Sequence, residues 1–349
     1  MKRLGVLSIV ILLVFGCKKD KPFWPQFPAQ EDVVLDSSAT HIFILNEGNF
    51  TFENASITAH EIETGNTRQQ VFEKENGKSL GDVAQSMLVS GDIGFLAINN
   101  SNQIKKVKLP SLKEITTKAV ETPRYCLLSS KGELWVSSLN GKEIVVLDTA
   151  DLLVVRTVKT TNWIEEMEES DNHIFACNVK GNSVDVFSVV GAFVQSIAVG
   201  KQPQSIVEDE NGFLWVLCDG GFNPRDRENA TLHKIDPIKR AVLYTYIFDD
   251  IEASPSRLNY NASTGKLYFI NRSVFEFNVQ GEKAEPTELF KIDGANFYGL
   301  GINQLNDQLI VCDVRDYVKN GVVYVLDETG KQLIEFEAGV IPQEVVVYK

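Results

Sequence analysis

Few side chains in this sequence suit covalent or metal chemistry. There are four histidines, His41, His60, His173 and His233. His41 and His173 open apolar strand-like runs, and His60 and His233 lie inside others. A general base or metal ligand needs a reachable ring, so these four point away from such a site. No Gly-x-Ser-x-Gly, His-Glu-x-x-His, P-loop or Gly-x-Gly-x-x-Gly phrase occurs. Asp219-Gly220-Gly221 lacks the lysine and the following helix of a phosphate loop. The sequence offers stacking and hydrogen bonding instead. Gln85, Arg124, Trp163, Glu165, Gln204, Tyr298 and Gln343 recur at one point of a repeat. Asn49, Phe50, Asn100, Asp219, Phe222, Arg272 and Tyr317 recur at a second point. Amide, guanidinium and aromatic groups gathered in one place suit a large, neutral, amide-bearing ligand.

The elements that must gather them follow from the repeat. A short apolar run, mostly ending in Asn or Asp, appears at 42–46, 95–99, 134–138, 174–178, 214–218, 267–271 and 309–313. Its residues are β-branched and aromatic, as in buried strands, and the terminal Asn or Asp favours a turn. A second phrase precedes each run from the second onward. It starts near Ala84, Pro123, Ile164, Pro203, Pro255 and Phe297, and again at Pro342. Third and fourth phrases, such as 143–148 and 153–158, complete each unit. Four strands per unit at a period of roughly forty residues is the mark of a propeller blade. No segment carries sustained helical periodicity, which excludes α/β readings. The last phrase, 341–348, has no unit of its own. It is expected to complete the first blade, whose other strands start near His41, and so to close an all-β, seven-bladed β-propeller with four-stranded blades. Closure of this kind leaves no free sheet edge at the seam. A β-sandwich or a two-domain chain leaves that final strand unexplained.

In such a ring, the loop before each first strand and the turn between second and third strands share one face. Both sets of residues named above then surround the mouth of the central channel, with Ser256 expected to serve the sixth blade. Two of these turns, 47–55 and 219–230, are longer than a blade requires and carry Phe50, Phe52 and Phe222. Long aromatic loops on a rigid scaffold are binding candidates, unless the rings pack beneath their own loops. A lactonase-like metal set of Glu165, Asn49 and Asp316 is conceivable, but these come from turns of different length.

The N-terminus reads as an address. Lys2 and Arg3 precede an apolar run over 4–15, followed by Gly16 and Cys17. The run is too short to span a membrane and has the zones of a secretory signal. Val14-Phe15-Gly16-Cys17 resembles a bacterial lipobox, which makes residues 1–16 a signal peptide and Cys17 the lipidation site. Lys18 after the cysteine resembles outer-membrane sorting. Residues 17–38 read as the lipidated cysteine and an extended tether, with Trp24 and Phe27 placed to meet either the domain or the lipid interface. The propeller is expected over 39–349. The chain of 349 residues is 44% hydrophobic and 23% charged, which excludes disordered and fibrous classes. Its formal charge of −13 disfavours nucleic acid as a partner. Cys126, Cys177, Cys218 and Cys312 fall on different repeats, too far apart to bridge, and read as buried free thiols.

Longer phrases carry a family resemblance. Leu45-Asn46-Glu47-Gly48-Asn49-Phe50, Asn54-Ala55-Ser56, Leu80-Gly81-Asp82-Val83-Ala84-Gln85-Ser86-Met87 and Asn99-Asn100-Ser101 resemble the BtuG-type surface cobalamin-binding lipoproteins within the YncE-like propellers. Asp219-Gly220-Gly221-Phe222, Phe297-Tyr298-Gly299-Leu300 and Ala338-Gly339-Val340-Ile341-Pro342 match as well. The resemblance covers 41–349 and departs at 223–230. It implies a seven-bladed, non-catalytic lipoprotein anchored by lipid alone on the cell-surface side of the outer membrane. Such a protein captures cobalamin or a related corrinoid and passes it to a TonB-dependent outer-membrane transporter. The corrinoid is then a transported ligand, and no cofactor is expected. Two other readings stay open: a surface propeller that binds another transporter substrate or a partner protein, and a lactonase-like enzyme.

Overall fold

The computed structural model describes residues 35–280 and 285–349. The expected signal peptide, Cys17, Trp24 and Phe27 lie outside the described residues. Of the expected tether only 35–38 is described. There Leu35 is buried against Phe43 and Phe72, and His41 Nε2 lies 2.7 Å from the Asp36 carbonyl oxygen.

Among the described residues, 28 strands form seven four-stranded antiparallel sheets. We number the blades 1 to 7 along the chain. The innermost strands, in that order, are Pro342–Tyr348, Ala84–Ser90, Pro123–Leu128, Ile164–Ser170, Pro203–Glu208, Ser256–Asn261 and Phe297–Asn303. The expected closure is present. In blade 1 the C-terminal strand pairs with His41–Asn46, matching His41 to Tyr348 and Ile44 to Val345. At the seam, the inner strands of blades 7 and 1 run so close that a Cβ on Gly301 would sit 2.6 Å from that of Val345. Only glycine admits that approach.

Burial explains the layering. The second strand of each blade is buried almost throughout, as in Leu214–Cys218. Outer strands alternate in exposure, as in Lys113–Ala119. Seven hydrophobic clusters fill the seven junctions between blades, so the core is a ring of wedges. Ile42 and Ile44 of blade 1 meet Ile310 and Val323 of blade 7, and Trp135 and Ile144 of blade 3 meet Ile174 and Phe187 of blade 4. Every wedge needs both of its sheets, which makes closure a condition of stability rather than an ornament. The four cysteines described are free, with three buried and Cys126 half-buried.

Blade 1 departs from the repeat. Its outer strand is only Thr67–Arg68, and a one-and-a-half-turn helix, Val71–Asn76, follows. Val71 and Phe72 plug the wedge between blades 1 and 2. A six-residue helix is too short to print a 3.6-residue period in sequence.

Candidate functional site

The site rests on a feature repeated in all seven blades. Each inner strand breaks register near its start, where it reaches the mouth. In blade 2, Ala84 pairs with Ile98 and Ser86 with Ala97, leaving Gln85 unpaired. Gln204, Tyr298 and Gln343 are skipped in the same way in blades 5, 7 and 1. In blades 3, 4 and 6 two residues are skipped: Arg124 and Tyr125, Glu165 and Glu166, Arg257 and Leu258. A bulge turns its side chain out of the pleat, here toward the channel. Gln85, Arg124, Tyr125, Glu165, Gln204, Arg257 and Tyr298 line one cavity of about 530 Å³.

These side chains bond to one another and make a floor. Arg124 donates from Nε to Glu165 Oε1 at 2.8 Å and from a terminal nitrogen to Oε2 at 3.2 Å, a bidentate pair. Its other terminal nitrogen donates to Gln85 Oε1 at 2.5 Å. Gln85 Nε2 reaches the Tyr125 hydroxyl at 3.4 Å. From across the channel, Arg257 donates to that hydroxyl at 3.1 Å, to the Tyr298 carbonyl at 3.1 Å and to Gln343 Oε1. Gln343 Nε2 donates to the Ala84 carbonyl at 3.0 Å. The belt therefore joins blades 4, 3, 2, 6, 7 and 1 and turns the channel into a cup.

Burial sets the charges. It opposes ionisation of Arg124, but the Glu165 and Tyr125 oxygens outweigh it and hold the guanidinium firmly protonated. Burial raises the Glu47 carboxyl, against the pull of Arg257 and Arg124. Beneath the belt it raises Glu344 to about 7, with Arg257 opposing. It raises Glu166 to about 8, against the Ile206 N–H and Arg257. Burial and then the Glu47 charge raise the Tyr298 hydroxyl to about 12. Glu344 and Glu166, partly neutral near pH 7, therefore offset the guanidiniums less than ionised carboxylates would.

The rim is built differently. Phe50 and Phe222 line the cavity and are 66% and 65% exposed. They do not pack beneath their own loops. Phe52 is exposed too but does not line the cavity. The 47–55 loop is nonetheless pinned: Gly48 N–H donates to the Val340 carbonyl at 3.0 Å and Thr51 N–H to Asp82 Oδ2 at 2.8 Å. Trp163 lines the wall with the Arg124 guanidinium 5.7 Å from its ring centre.

Eight of the fourteen sequence-predicted residues thus meet: Phe50, Gln85, Arg124, Trp163, Glu165, Gln204, Phe222 and Tyr298. The other six stand behind or beside the cavity. Asn49 ties its loop to the Tyr317 carbonyl at 2.7 Å, and Asn100 bonds Asp82. Asp219 accepts from Gln204 and from Gly221 N–H, and its carboxyl is raised to about 6 by burial. Gln343 is a fully buried floor strut. The Tyr317 ring meets Tyr298 edge-on at 6.0 Å. Arg272 lies on the exposed surface, 3.4 Å from Asp250. The conceivable metal set is dispersed, since Asp316 caps Val318 and Lys319 N–H while Glu165 pairs with Arg124. Among the described residues, no group of three His, Cys, Asp or Glu side chains is placed to hold a metal.

Arg257 and Tyr125 are floor residues that sequence reasoning missed. Aligning Pro255 with Pro123 assigns blade 6 the mouth position at Ser256. In the structure Ser256 does line the cavity, but it pairs with Ile270, the station held by Pro123 in blade 3. The bulge therefore begins one residue later, and a one-residue slip exchanges the faces of a strand.

A family described as a domain of unknown function, DUF5074, matches residues 40–339. The chain belongs to that family. Comparison with curated proteins found no match. Solved structures resemble this DUF5074 chain in fold. Kuenenia stuttgartiensis hydrazine synthase aligns with TM-score 0.65 and 15% identity over 76% of this chain and 95% of that one. A quinonprotein alcohol dehydrogenase-like protein from Bacteroides thetaiotaomicron VPI-5482 aligns with TM-score 0.67 and 13% identity over 87% and 77%. A functionally unknown protein from Desulfotomaculum acetoxidans DSM 771 aligns with TM-score 0.68 and 11% identity over 88% and 98%. At such identities the likeness is one of propeller architecture, and function rests on the site.

The site of this DUF5074 chain is equipped to hold a molecule. The floor carboxylates and amides are spent largely on one another, and none of the four histidines lines the cavity: His41 meets the Asp36 carbonyl, His60 stacks on Phe336 at 4.2 Å, His173 meets Arg240 and His233 bonds Thr231 and Thr245. Aromatic faces at the rim remain open for stacking.

Proposed function

We propose that this chain is a non-catalytic capture lipoprotein. It is held on the outer face of the outer membrane by a lipid on Cys17. It binds cobalamin or a related corrinoid at the channel mouth and hands it to a TonB-dependent transporter. One observation carries the capture reading: a cup of about 530 Å³, floored by a polar belt bonded across blades and rimmed by exposed Phe50 and Phe222. A preformed, rigid floor lowers the ordering cost of binding, and open rings supply apolar area to a ligand that projects beyond the cup. The corrinoid is supported by the shared phrases at 45–50, 80–87 and 219–222, and the anchor by Val14-Phe15-Gly16-Cys17.

Calorimetric titration of the purified domain with cyanocobalamin tests the ligand. A saturable one-to-one heat at micromolar concentration supports it, and no heat overturns it. Co-purification of the tethered protein with its membrane partner tests delivery, and the absence of a transporter from that eluate contradicts it.

A further inference from the structure

The floor contains donors that the protein does not use. A guanidinium has five N–H groups, one on Nε and two on each terminal nitrogen. The bonds described above employ three in Arg124 and three in Arg257. One N–H on each of the four terminal nitrogens is left without a hydrogen-bond acceptor among the described residues. Both side chains line the same cavity, and they are joined through Gln85 and the Tyr125 hydroxyl. Their orientation is therefore fixed before any ligand arrives.

Their charge is only partly matched from within. Arg124 has a bidentate carboxylate in Glu165. Arg257 meets three neutral acceptors, and its one ion pair, with Glu344, is long at 3.7 Å. Its remaining carboxyl neighbours, Glu47 and Glu166, are pushed toward the neutral form by burial, as is Glu344. A buried guanidinium with neutral partners gains most from an acceptor that carries charge.

We propose that the Arg124–Arg257 floor is an oxyanion subsite, which takes a singly charged phosphodiester, phosphate or carboxylate group at the leading end of whatever ligand enters the cup. This deepens the capture reading, because it assigns a charged group to a site whose rim and amides otherwise suit a neutral molecule. It rests on the cup being a binding site, but not on the ligand being a corrinoid.

The test uses dimethyl phosphate, which is small, singly charged and fits the floor without the rim. The folded chain is titrated at low ionic strength, and the Nε–H resonances of Arg124 and Arg257 are followed by NMR. Saturable shifts of both resonances, with binding weakened about tenfold or more in Arg257→Gln and unchanged in Arg315→Gln, support the subsite. Arg315 is exposed and does not line the cavity. Should Arg257→Gln fail to fold, Arg257→Lys keeps the charge but loses the fork, and affinity equal to wild type in that variant overturns the proposal. No saturable shift, or equal loss in Arg315→Gln, also overturns it. Binding of dimethyl phosphate without binding of cyanocobalamin supports the subsite and removes the corrinoid. Binding of cyanocobalamin with no response to dimethyl phosphate keeps the corrinoid and removes the subsite.

Discussion

The floor and the rim of the cup obey different rules. Floor side chains emerge from register breaks at the starts of inner strands, are buried or half-buried, and mostly depend on partners from other blades. Glu165 is 4% exposed and Gln343 fully buried. Rim side chains stand on loops, and Phe50, Phe52 and Phe222 are all more than half exposed. The floor is thus part of the fold, and a change there is felt first as lost stability. The rim is carried by the fold, and on the capture reading a change there is felt as lost affinity. Ligand-facing groups that also brace a ring are tuned by whole-molecule constraints, whereas loop aromatics can vary alone.

The sharpest way to break this contrast is to open the ring. Deleting 342–348 removes the strand paired to His41–Asn46 and also the Gln343 strut. The expected result is loss of the cooperative unfolding transition by circular dichroism, and a truncated chain that still melts sharply contradicts a floor dependent on closure. Next in size is Arg124→Ala, which strands the buried Glu165 carboxylate. Breaking such a pair costs about 3–5 kcal/mol, visible as a lower urea midpoint. The same measurement on Phe50→Ala or Phe222→Ala is expected to move by no more than about 0.5 kcal/mol, while cyanocobalamin affinity falls about tenfold for each, or 1.4 kcal/mol. Equal stability losses at floor and rim erase the distinction.

The smallest expected effect is a pH slope to which the floor contributes alongside buried Glu73 and Glu168, raised by burial to about 8 and about 7. Burial holds Glu344 at about 7 and Glu166 at about 8, above the ordinary carboxylate value of 4.5. Near neutrality the folded chain therefore binds more protons than the unfolded one, and stability falls as pH rises. The opposing contribution of His233, lowered from 6.5 to about 4 by burial, is complete once the pH passes its unfolded value. Urea midpoints are therefore expected to decline from pH 6.5 to 8.5, less steeply in Glu344→Gln. A rise over that range contradicts the assignment.

Much of this contrast is legible in the sequence, for physical reasons. The blade repeat prints itself because second strands are buried on both faces and must be apolar, as Ile174–Asn178 is except at its turn. The closing strand announces itself as a surplus. The floor is legible wherever one residue follows a constant landmark, as Gln343 follows Pro342. It fails at Arg257, where the bulge starts one residue later than Pro255 suggests. Tyr125 escapes for a related reason, since the two-residue bulge of blade 3 brings its second residue to the cavity as well. The rim gives away its loops by their length but not the direction of their rings. Asn49 and Asn100 serve the loop itself, and turn chemistry in sequence looks the same whether it faces a ligand or a neighbour.

Hydrogen exchange of the tethered domain, with and without cyanocobalamin, tests most directly that capture happens between this floor and this rim. Added protection is expected in 47–55, in 219–230 and at the starts of the inner strands that carry Gln85, Arg124, Glu165 and Tyr298. The outer strands, such as Lys113–Ala119, should exchange as before. Protection centred on the outer strands, or none at saturating ligand, contradicts a binding site at the mouth.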